Sequence, residues 1–348
     1  MFLDHIKKIT IFILAGYLAS CSIPKTDLVP DQKTLLTINE GVIIGTNNGK
    51  THQWLGIQYG SIPDSSFRWR KASEPETWEG IYEALEFGNT CVQRGSLINT
   101  TKRRNWGDVV GSEDCLYLNV WAPLDLVDSP SKRIPVMVWI HGGSNVSGNA
   151  DFYDPSELAR SQNLIVVTIN YRLGPFGWFR HPDVTSNKEN PEDRSGNYGN
   201  LDTMQALEWV QRNIEFFGGD SSNITIFGES AGGYNVAALL SAKNVSGLFH
   251  KAIIQSGGIR PGDINHSESY IDQNLPWKSY SSRELLNQLM IDKGMASDRK
   301  SAKLLQEDMS QTEIEALMRN ASTQEIYSAY QIVKRNTNDM LRPFPDGG

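Results

Sequence analysis

The sequence contains little cysteine and lacks any long basic run. Only three cysteines occur among the 348 residues, their spacing does not fit a zinc site, and we expect neither a metal nor a cofactor. The net charge is −7. Nucleic acid is therefore excluded as a partner, because binding its phosphates needs a concentrated positive surface. No heptad pattern, repeat or low-complexity tract is present. With 39% hydrophobic and 21% charged residues, the composition is that of a globular protein.

The N-terminus has the pattern of an export signal. Two lysines precede an apolar stretch at residues 9–19, which is too short to span a bilayer. Leu-Ala-Ser-Cys at 18–21 resembles the bacterial lipobox, in which the cysteine is lipidated and becomes the mature N-terminus. We therefore expect a signal peptide at 1–20 and a lipid on Cys21. An ordinary signal peptide with a chance cysteine is the alternative.

This leader predicts an exported protein of the bacterial cell envelope, held to a membrane by its N-terminal lipid. A tether at 21–33 is expected to precede one domain at 34–348. Export places the chain in an oxidising compartment, where Cys91 and Cys115 are expected to form a disulfide. Closing the loop between them stabilises the fold by about 3 kcal/mol in the chain-entropy model.

The middle of the chain predicts an α/β fold. Nearly continuous apolar runs indicate strands buried on both faces, as in a parallel sheet. They lie at 136–140, 164–169, 224–227 and 252–254. Helical patterns at 201–217 and 230–241 separate them, so we expect a central, mostly parallel sheet.

Flanking segments complete this architecture. β-Rich residues at 34–46, a turn signal at 47–49 and a strand at 54–59 predict an N-terminal hairpin. Residues 114–121 alternate like a half-buried strand. Amphipathic helices at 282–333, one with a capping box at 312–315, are expected to form an insertion over the sheet.

The strongest chemical signal is a serine between two glycines, at Gly228-Glu229-Ser230-Ala231-Gly232. A strand before it and a helix after it are the setting of the nucleophile elbow of α/β-hydrolases, whose sharp turn exposes the serine hydroxyl. The glycines are needed because a Cβ at either position would clash with neighbouring backbone. We interpret Ser230 as the nucleophile, and expect Glu229 to bond locally below it.

A second glycine-rich segment, His141-Gly142-Gly143-Ser144, directly follows the 136–140 strand. Hydrolases of this fold take one oxyanion donor from the residue after the nucleophile and another from a loop at this point. A simple strand-to-loop turn is the alternative. His141 itself is expected to pack or bond locally.

These motifs and several blocks between them resemble the type-B carboxylesterases, the family that includes the cholinesterases. The specific blocks are EDCLYLNVW at 113–121, NYRLGPFG at 170–177 and FHKAIIQSG at 249–257. The resemblance implies ester hydrolysis through an acyl-enzyme on Ser230, and a Cys91–Cys115 disulfide. It also implies an oxyanion hole formed by the N–H groups of Gly143, Ser144 and Ala231. The family loop usually reads HGGG followed by an aromatic residue, so the chain departs from the pattern at Ser144 and Asn145.

The same resemblance places the catalytic glutamate and histidine far beyond Ser230, and only 118 residues follow it (348 − 230). We therefore expect both partners and the last strands of the sheet to be missing, and the chain alone to be poorly soluble and nearly inactive. Of the two later histidines, His250 lies in a structural block and His266 in a polar loop. The second functional hypothesis is a catalytically dead binding or adhesion lipoprotein, against which the retained Ser230 argues.

Overall fold

The computed structural model describes residues 28–96, 99, 105–126, 133–185, 190–259, 261–273 and 281–335. The predicted signal peptide, the lipidation site Cys21 and the last 13 residues, 336–348, lie outside the described residues. No helix in the described part of the chain is long and apolar enough to cross a membrane.

Twelve strands are present in the described ranges, and seven of them form the central sheet. In chain order they are β1 (Leu36–Thr37), β2 (Val42–Ile44), β3 (Thr46–Asn47), β4 (Thr51–Gln58), β5 (Ile81–Glu83), β6 (Gln93–Arg94), β7 (Val109–Val110), β8 (Tyr117–Pro123), β9 (Ile134–Ile140), β10 (Ile165–Ile169), β11 (Gly219–Glu229) and β12 (Lys251–Gln255). The central sheet has the order β12-β11-β9-β10-β8-β4-β3. β1, β2 and β5 form a small sheet, and β6 pairs with β7.

The central sheet is mixed, so the expectation of a mostly parallel sheet holds for only half of it. β12, β11, β9 and β10 run parallel to one another, whereas the pairings of β10 with β8, β8 with β4 and β4 with β3 are antiparallel. The predicted hairpin is present as β3 and β4. Its first limb is shorter than expected, because residues 36–44 pair in the separate small sheet.

Burial of the strands differs from the prediction in two places. β8 is buried along six of its seven residues instead of alternating, because helix α1 (Ser156–Gln162) packs against it. β12 was expected to be buried on both faces, but it lies at the edge of the sheet. Its residues Ile253 and Ile254 are 43% and 41% exposed. This edge of the sheet is therefore apolar.

Nine further α-helices accompany α1 in the part of the chain that the structure describes. They are α2 (Gly174–Gly177), α3 (Pro182–Thr185), α4 (Tyr198–Asn213), α5 (Ala231–Ser241), α6 (Ile264–Glu268), α7 (Ser282–Asp292), α8 (Arg299–Asp308), α9 (Gln311–Asn320) and α10 (Thr323–Arg335). α4 continues as a 3₁₀ turn and stops at Gly218, whose φ of 87° is the left-handed conformation favoured by glycine. α5 directly follows β11, so the strand and helix expected around Ser230 are both present.

α7 to α10 confirm the predicted run of short amphipathic helices. α9 and α10 pack against α2, α3 and β7. The buried guanidinium of Arg68 fastens them by donating to the carbonyls of Met318 and Ala321 at 3.0 and 2.8 Å. The capping box was predicted two residues too late. Ser310 is the N-cap of α9, and Glu313 completes the box.

Candidate active site

Ser230 occupies a strained turn between β11 and α5. Its φ of 53° and ψ of −117° lie outside the regions that residues with a Cβ ordinarily adopt. Such a conformation persists only where the surrounding structure enforces it, and it clusters at functional sites. Ser230 N donates to Gln255 O at 2.9 Å, which ties the turn to the end of β12. Ser230 is partly exposed, as an accessible nucleophile requires.

The glycines on either side of Ser230 are required by close backbone contacts. A Cβ on Gly232 would lie 2.0 Å from the carbonyl oxygen of Ile140, and one on Gly228 would lie 2.6 Å from the carbonyl carbon of Gly232. Both distances are far below van der Waals contact. The first turn of α5 is therefore pressed against the end of β9, which confirms the reason given for both glycines.

The loop after β9 lies directly beside Ser230. A Cβ on Gly142 would lie 2.7 Å from the carbonyl oxygen of Glu229 and 3.3 Å from the Cβ of Ser230. The loop turns back at Gly143, whose carbonyl accepts from the N–H groups of Val146 and Ser147 at 3.1 and 3.0 Å. The two glycine-rich segments are thus neighbours, although Gly142 and Ser230 are 88 residues apart in sequence.

Amide donors remain available around Ser230. Among the described residues, the N–H groups of Gly143, Ser144 and Ala231 donate no hydrogen bond to the backbone. For Ala231 the reason is its position at the first residue of α5, where helical N–H groups have no partner within the helix. Unpaired donors and the positive end of a helix dipole favour negative charge.

His141 is a buried, neutral side chain. It is 3% exposed, its Nδ1 lies 2.8 Å from Gly142 O, and its ring stacks on Tyr171 with 4.3 Å between centroids. Burial lowers the pKa of His141 to about 4, although the contact with Gly142 acts in the opposite direction. The Tyr171 hydroxyl donates to His141 O at 2.5 Å. The prediction that His141 packs and bonds locally is confirmed.

The disulfide between Cys91 and Cys115 is present, with 5.0 Å between the Cα atoms. Gln93, two residues after Cys91, joins this part of the chain to the loop beside Ser230. Its side-chain amide donates to Gly148 O at 2.8 Å and accepts from Gly148 N at 2.9 Å. The glycine-rich loop is therefore held at its far end by the disulfide-bonded segment.

The remaining candidates lie in other contacts. His250 Nδ1 accepts from Ile224 N at 3.2 Å. Ile224 lies six residues before Ser230 along the extended strand β11, so His250 is about 20 Å from the nucleophile. His266 is buried, with Nδ1 3.4 Å from Asp263 Oδ2. Glu229 was expected to bond below the nucleophile, but it is exposed. Within the described residues no group of three or more acidic, histidine or cysteine side chains is placed to hold a metal ion.

Comparison with known proteins agrees with this geometry. The family model described as "Carboxylesterase family" matches residues 32–345. The chain belongs to the carboxylesterase family. Among curated relatives, para-nitrobenzyl esterase of Bacillus subtilis is 43% identical over 228 residues, covering 65% of this chain and 44% of its own. Fumonisin B1 esterase of Sphingopyxis macrogoltabida is 38% identical over 254 residues, covering 72% and 45%.

Solved structures show the α/β-hydrolase fold of this chain. A thermophilic PNB esterase superimposes with a TM-score of 0.71 at 33% identity, covering 90% of this chain and 58% of the other. The carboxylesterase of Geobacillus stearothermophilus gives a TM-score of 0.65 at 31% identity, covering 90% and 56%. The chain therefore spans less than half the length of the two curated relatives and somewhat more than half of these structures.

The contacts that hold the loop beside Ser230 were not predicted from the sequence. Tyr171 and Gln93 contact it from segments 30 and 55 residues away. A further contact comes from Asn235 on α5, whose side chain meets that of Asn145. Tyr171 lies within the NYRLGPFG block that carries the family resemblance, and this was the only sequence signal for its contact with the loop. Asn145 occupies a position where the chain differs from the usual family sequence.

Proposed function

We propose that the chain carries the nucleophile and the oxyanion hole of a carboxylic ester hydrolase that acts through an acyl-enzyme on Ser230. The observation that carries the proposal is the strained, partly exposed Ser230 beside the amide donors of Gly143, Ser144 and Ala231. Membership of the carboxylesterase family supports it, as do two relatives named as esterases, one for para-nitrobenzyl and one for fumonisin B1.

The proposed reaction has two halves. Ser230 Oγ bonds to the ester carbonyl carbon while its proton passes to a general base, and the carbonyl oxygen becomes an alkoxide held by the amide donors. Collapse of this intermediate breaks the bond to the alcohol, which leaves with the proton, and the acyl group remains on Ser230. Water then repeats the sequence on the acyl-enzyme, releasing the carboxylic acid and restoring the hydroxyl.

The general base is the component that the described residues do not supply. The two histidines after Ser230 are engaged elsewhere, His250 at the opposite end of β11 and His266 with Asp263. In this fold the acid and the histidine follow the serine in the chain. A base outside these 348 residues is therefore part of the proposal, and the chain spans 44% of the length of para-nitrobenzyl esterase of Bacillus subtilis.

The leader supplies a proposal about location. A lipid on Cys21 would anchor a domain at 34–348 to a membrane of the bacterial cell envelope, through a tether at 21–33. The lipobox-like sequence at 18–21 supports it. Incorporation of an alkyne-labelled fatty acid that is lost in Cys21→Ser, with release of the variant from membranes, is the expected result. Equal labelling of both proteins would contradict the anchor.

The catalytic proposal is tested on the product of the complete open reading frame. Hydrolysis of p-nitrophenyl butyrate is measured for the parent, for Ser230→Ala and for Ser246→Ala, which removes an exposed serine outside the site. We expect turnover to fall by about 10⁴-fold or more in Ser230→Ala and to stay unchanged in Ser246→Ala. A fluorophosphonate should add its mass to the peptide that contains Ser230.

Two results would contradict the proposal. Hydrolysis that survives Ser230→Ala would place the nucleophile elsewhere. Turnover by residues 1–348 alone that equals that of the complete product would show that no base from outside this chain is needed. Near-background turnover by the 348-residue chain, with activity in the complete product, is the expected pair of outcomes.

A further inference from the structure

The loop beside Ser230 has an unusual backbone. Three consecutive residues have left-handed φ angles: 105° at Gly143, 58° at Ser144 and 58° at Asn145. For a residue with a Cβ, this conformation costs about 1–2 kcal/mol. Asparagine adopts it more readily than most residues, but serine has no such advantage. Contacts from outside the loop must therefore hold the backbone at Ser144 and Asn145 in place.

The side chain of Asn145 makes such a contact with Asn235. Asn235 Nδ2 donates to Asn145 Oδ1 at 3.0 Å, and Asn145 Nδ2 returns a longer bond to Asn235 Oδ1 at 3.4 Å. The two residues are 1% and 0% exposed. A buried amide left without its partner is costly, since its polar atoms have already lost their contact with water. The two side chains therefore fix each other's position.

The pair joins the loop to the helix that begins at the nucleophile. Asn235 lies on α5, five residues after Ser230, and Asn145 directly follows Ser144. The carbonyl of Asn145 accepts from Gly174 N at 2.7 Å, which holds the same residue from a second direction. The Tyr171 hydroxyl, which donates to His141 O, also lies beside Asn235.

We propose that Asn145 and Asn235 are positioning residues, which set the Ser144 N–H at its distance from Ser230 for binding the developing oxyanion. The inference rests on the proposed function of Ser230 and deepens it. An oxyanion donor contributes about 10²–10³ in rate when it stands at hydrogen-bond distance from the charge that forms. A displaced loop loses part of this factor in the transition state while substrate binding is retained.

The test uses Asn145→Gly, Asn235→Ala and the double variant in the complete product. Glycine is chosen at 145 because it removes the side chain without opposing the left-handed φ. With p-nitrophenyl butyrate we expect kcat to fall by about 10- to 100-fold in each single variant, with KM changed less than about twofold. Because the two side chains act as a unit, the double variant should lose no more than about twofold beyond either single variant.

The matched control is another buried amide pair, Asn287 and Gln306, on α7 and α8. Gln306 Nε2 donates to Asn287 Oδ1 at 3.0 Å, and the residues are 1% and 2% exposed. Asn287→Ala should lower the unfolding midpoint as much as Asn235→Ala does, yet leave kcat unchanged. An equal loss of kcat in both variants would show that the Asn145–Asn235 pair contributes only to the stability of the fold, and would overturn the inference.

A readout independent of turnover separates this inference from the proposed function. Hydrogen exchange of the peptide that spans residues 141–149 should accelerate by about tenfold or more in Asn235→Ala and stay unchanged in Asn287→Ala. Unchanged exchange in both variants overturns the inference even if Ser230 is the nucleophile. If exchange is faster in Asn235→Ala but hydrolysis survives Ser230→Ala, the Asn145–Asn235 contact holds the loop and has no catalytic role.

Discussion

Arg172 and Asp202 form a bidentate ion pair in the interior of the protein. Arg172 Nη2 lies 2.6 Å from Asp202 Oδ1 and Nε lies 2.8 Å from Oδ2, and the side chains are 3% and 0% exposed. Asp202 Oδ2 also accepts from Arg172 N at 3.0 Å. Because Arg172 follows β10 and Asp202 lies on α4, the pair fixes the segment that carries Tyr171 against the helix.

Removing the carboxylate of this pair should destabilise the fold strongly. Asp202→Asn leaves the guanidinium of Arg172 buried without a countercharge, which typically costs about 3–5 kcal/mol. Urea unfolding should show this as a lower midpoint with an unchanged m-value. The control is Glu157→Gln, in the exposed pair with Arg160, where solvent screening makes the expected change small. Equal midpoints for the two variants would contradict the prediction.

The disulfide should stabilise the fold by restricting the unfolded chain. Cys91 and Cys115 are 24 residues apart, and the chain-entropy model gives about 3 kcal/mol for a loop of that length. The double variant Cys91→Ser/Cys115→Ser should lose this amount in urea unfolding. Reductant should lower the midpoint of the parent to the same value and leave the double variant unaffected. A parent that does not respond to reductant at its unfolding midpoint would contradict the prediction.

The two glycines of the nucleophile turn were predictable from the sequence, because steric contacts alone require them. Gly228 is required by a backbone contact within the turn and Gly232 by a contact with the end of β9. The disulfide was expected from the predicted export of the chain. Burial was less predictable, since an apolar run such as 252–254 reads the same in a central strand and in an edge strand. β12 lies at the edge, and its isoleucines are exposed.

Two other differences have equally physical reasons. Ser310-x-x-Glu313 and Thr312-x-x-Glu315 both fit the capping-box pattern, and only the extended backbone of Ser310, with ψ of 155°, decides between them. The Asn145–Asn235 contact joins residues 90 positions apart. A single sequence carries no signal for such a pairing, because neither residue has a local role that demands it.

The buried His141 should make stability depend on pH. Its folded-state pKa of about 4 lies below the ordinary histidine value of 6.5, so between these pH values the unfolded chain binds a proton that the folded protein does not. The contribution of His141 to the free energy of unfolding is therefore fully present above pH 6.5. It is lost as the pH drops towards 4, and the loss amounts to about 3 kcal/mol in total.

The pH effect is measured by comparing the parent with His141→Gln, which cannot titrate. Urea unfolding at pH 7.5, 6.5, 5.5 and 4.5 gives the difference in unfolding free energy at each pH. The stability of the parent relative to the variant should decrease steadily below pH 6.5 and stay constant above it. A difference that does not change with pH would show that His141 titrates alike in the folded and unfolded states.

A single methyl group at Gly232 should disrupt the nucleophile turn. The added Cβ of Gly232→Ala would lie 2.0 Å from Ile140 O, which is the backbone at the end of a central strand and cannot move aside without displacing His141. We expect unfolding stability to fall by about 2 kcal/mol or more and the rate of fluorophosphonate labelling at Ser230 to fall by about tenfold or more. The control is Gly258→Ala, whose Cβ would meet the Tyr234 ring at an ordinary 3.9 Å. This variant should keep the stability and the labelling rate of the parent, so equal behaviour of the two alanine variants would show that the turn tolerates the contact by moving.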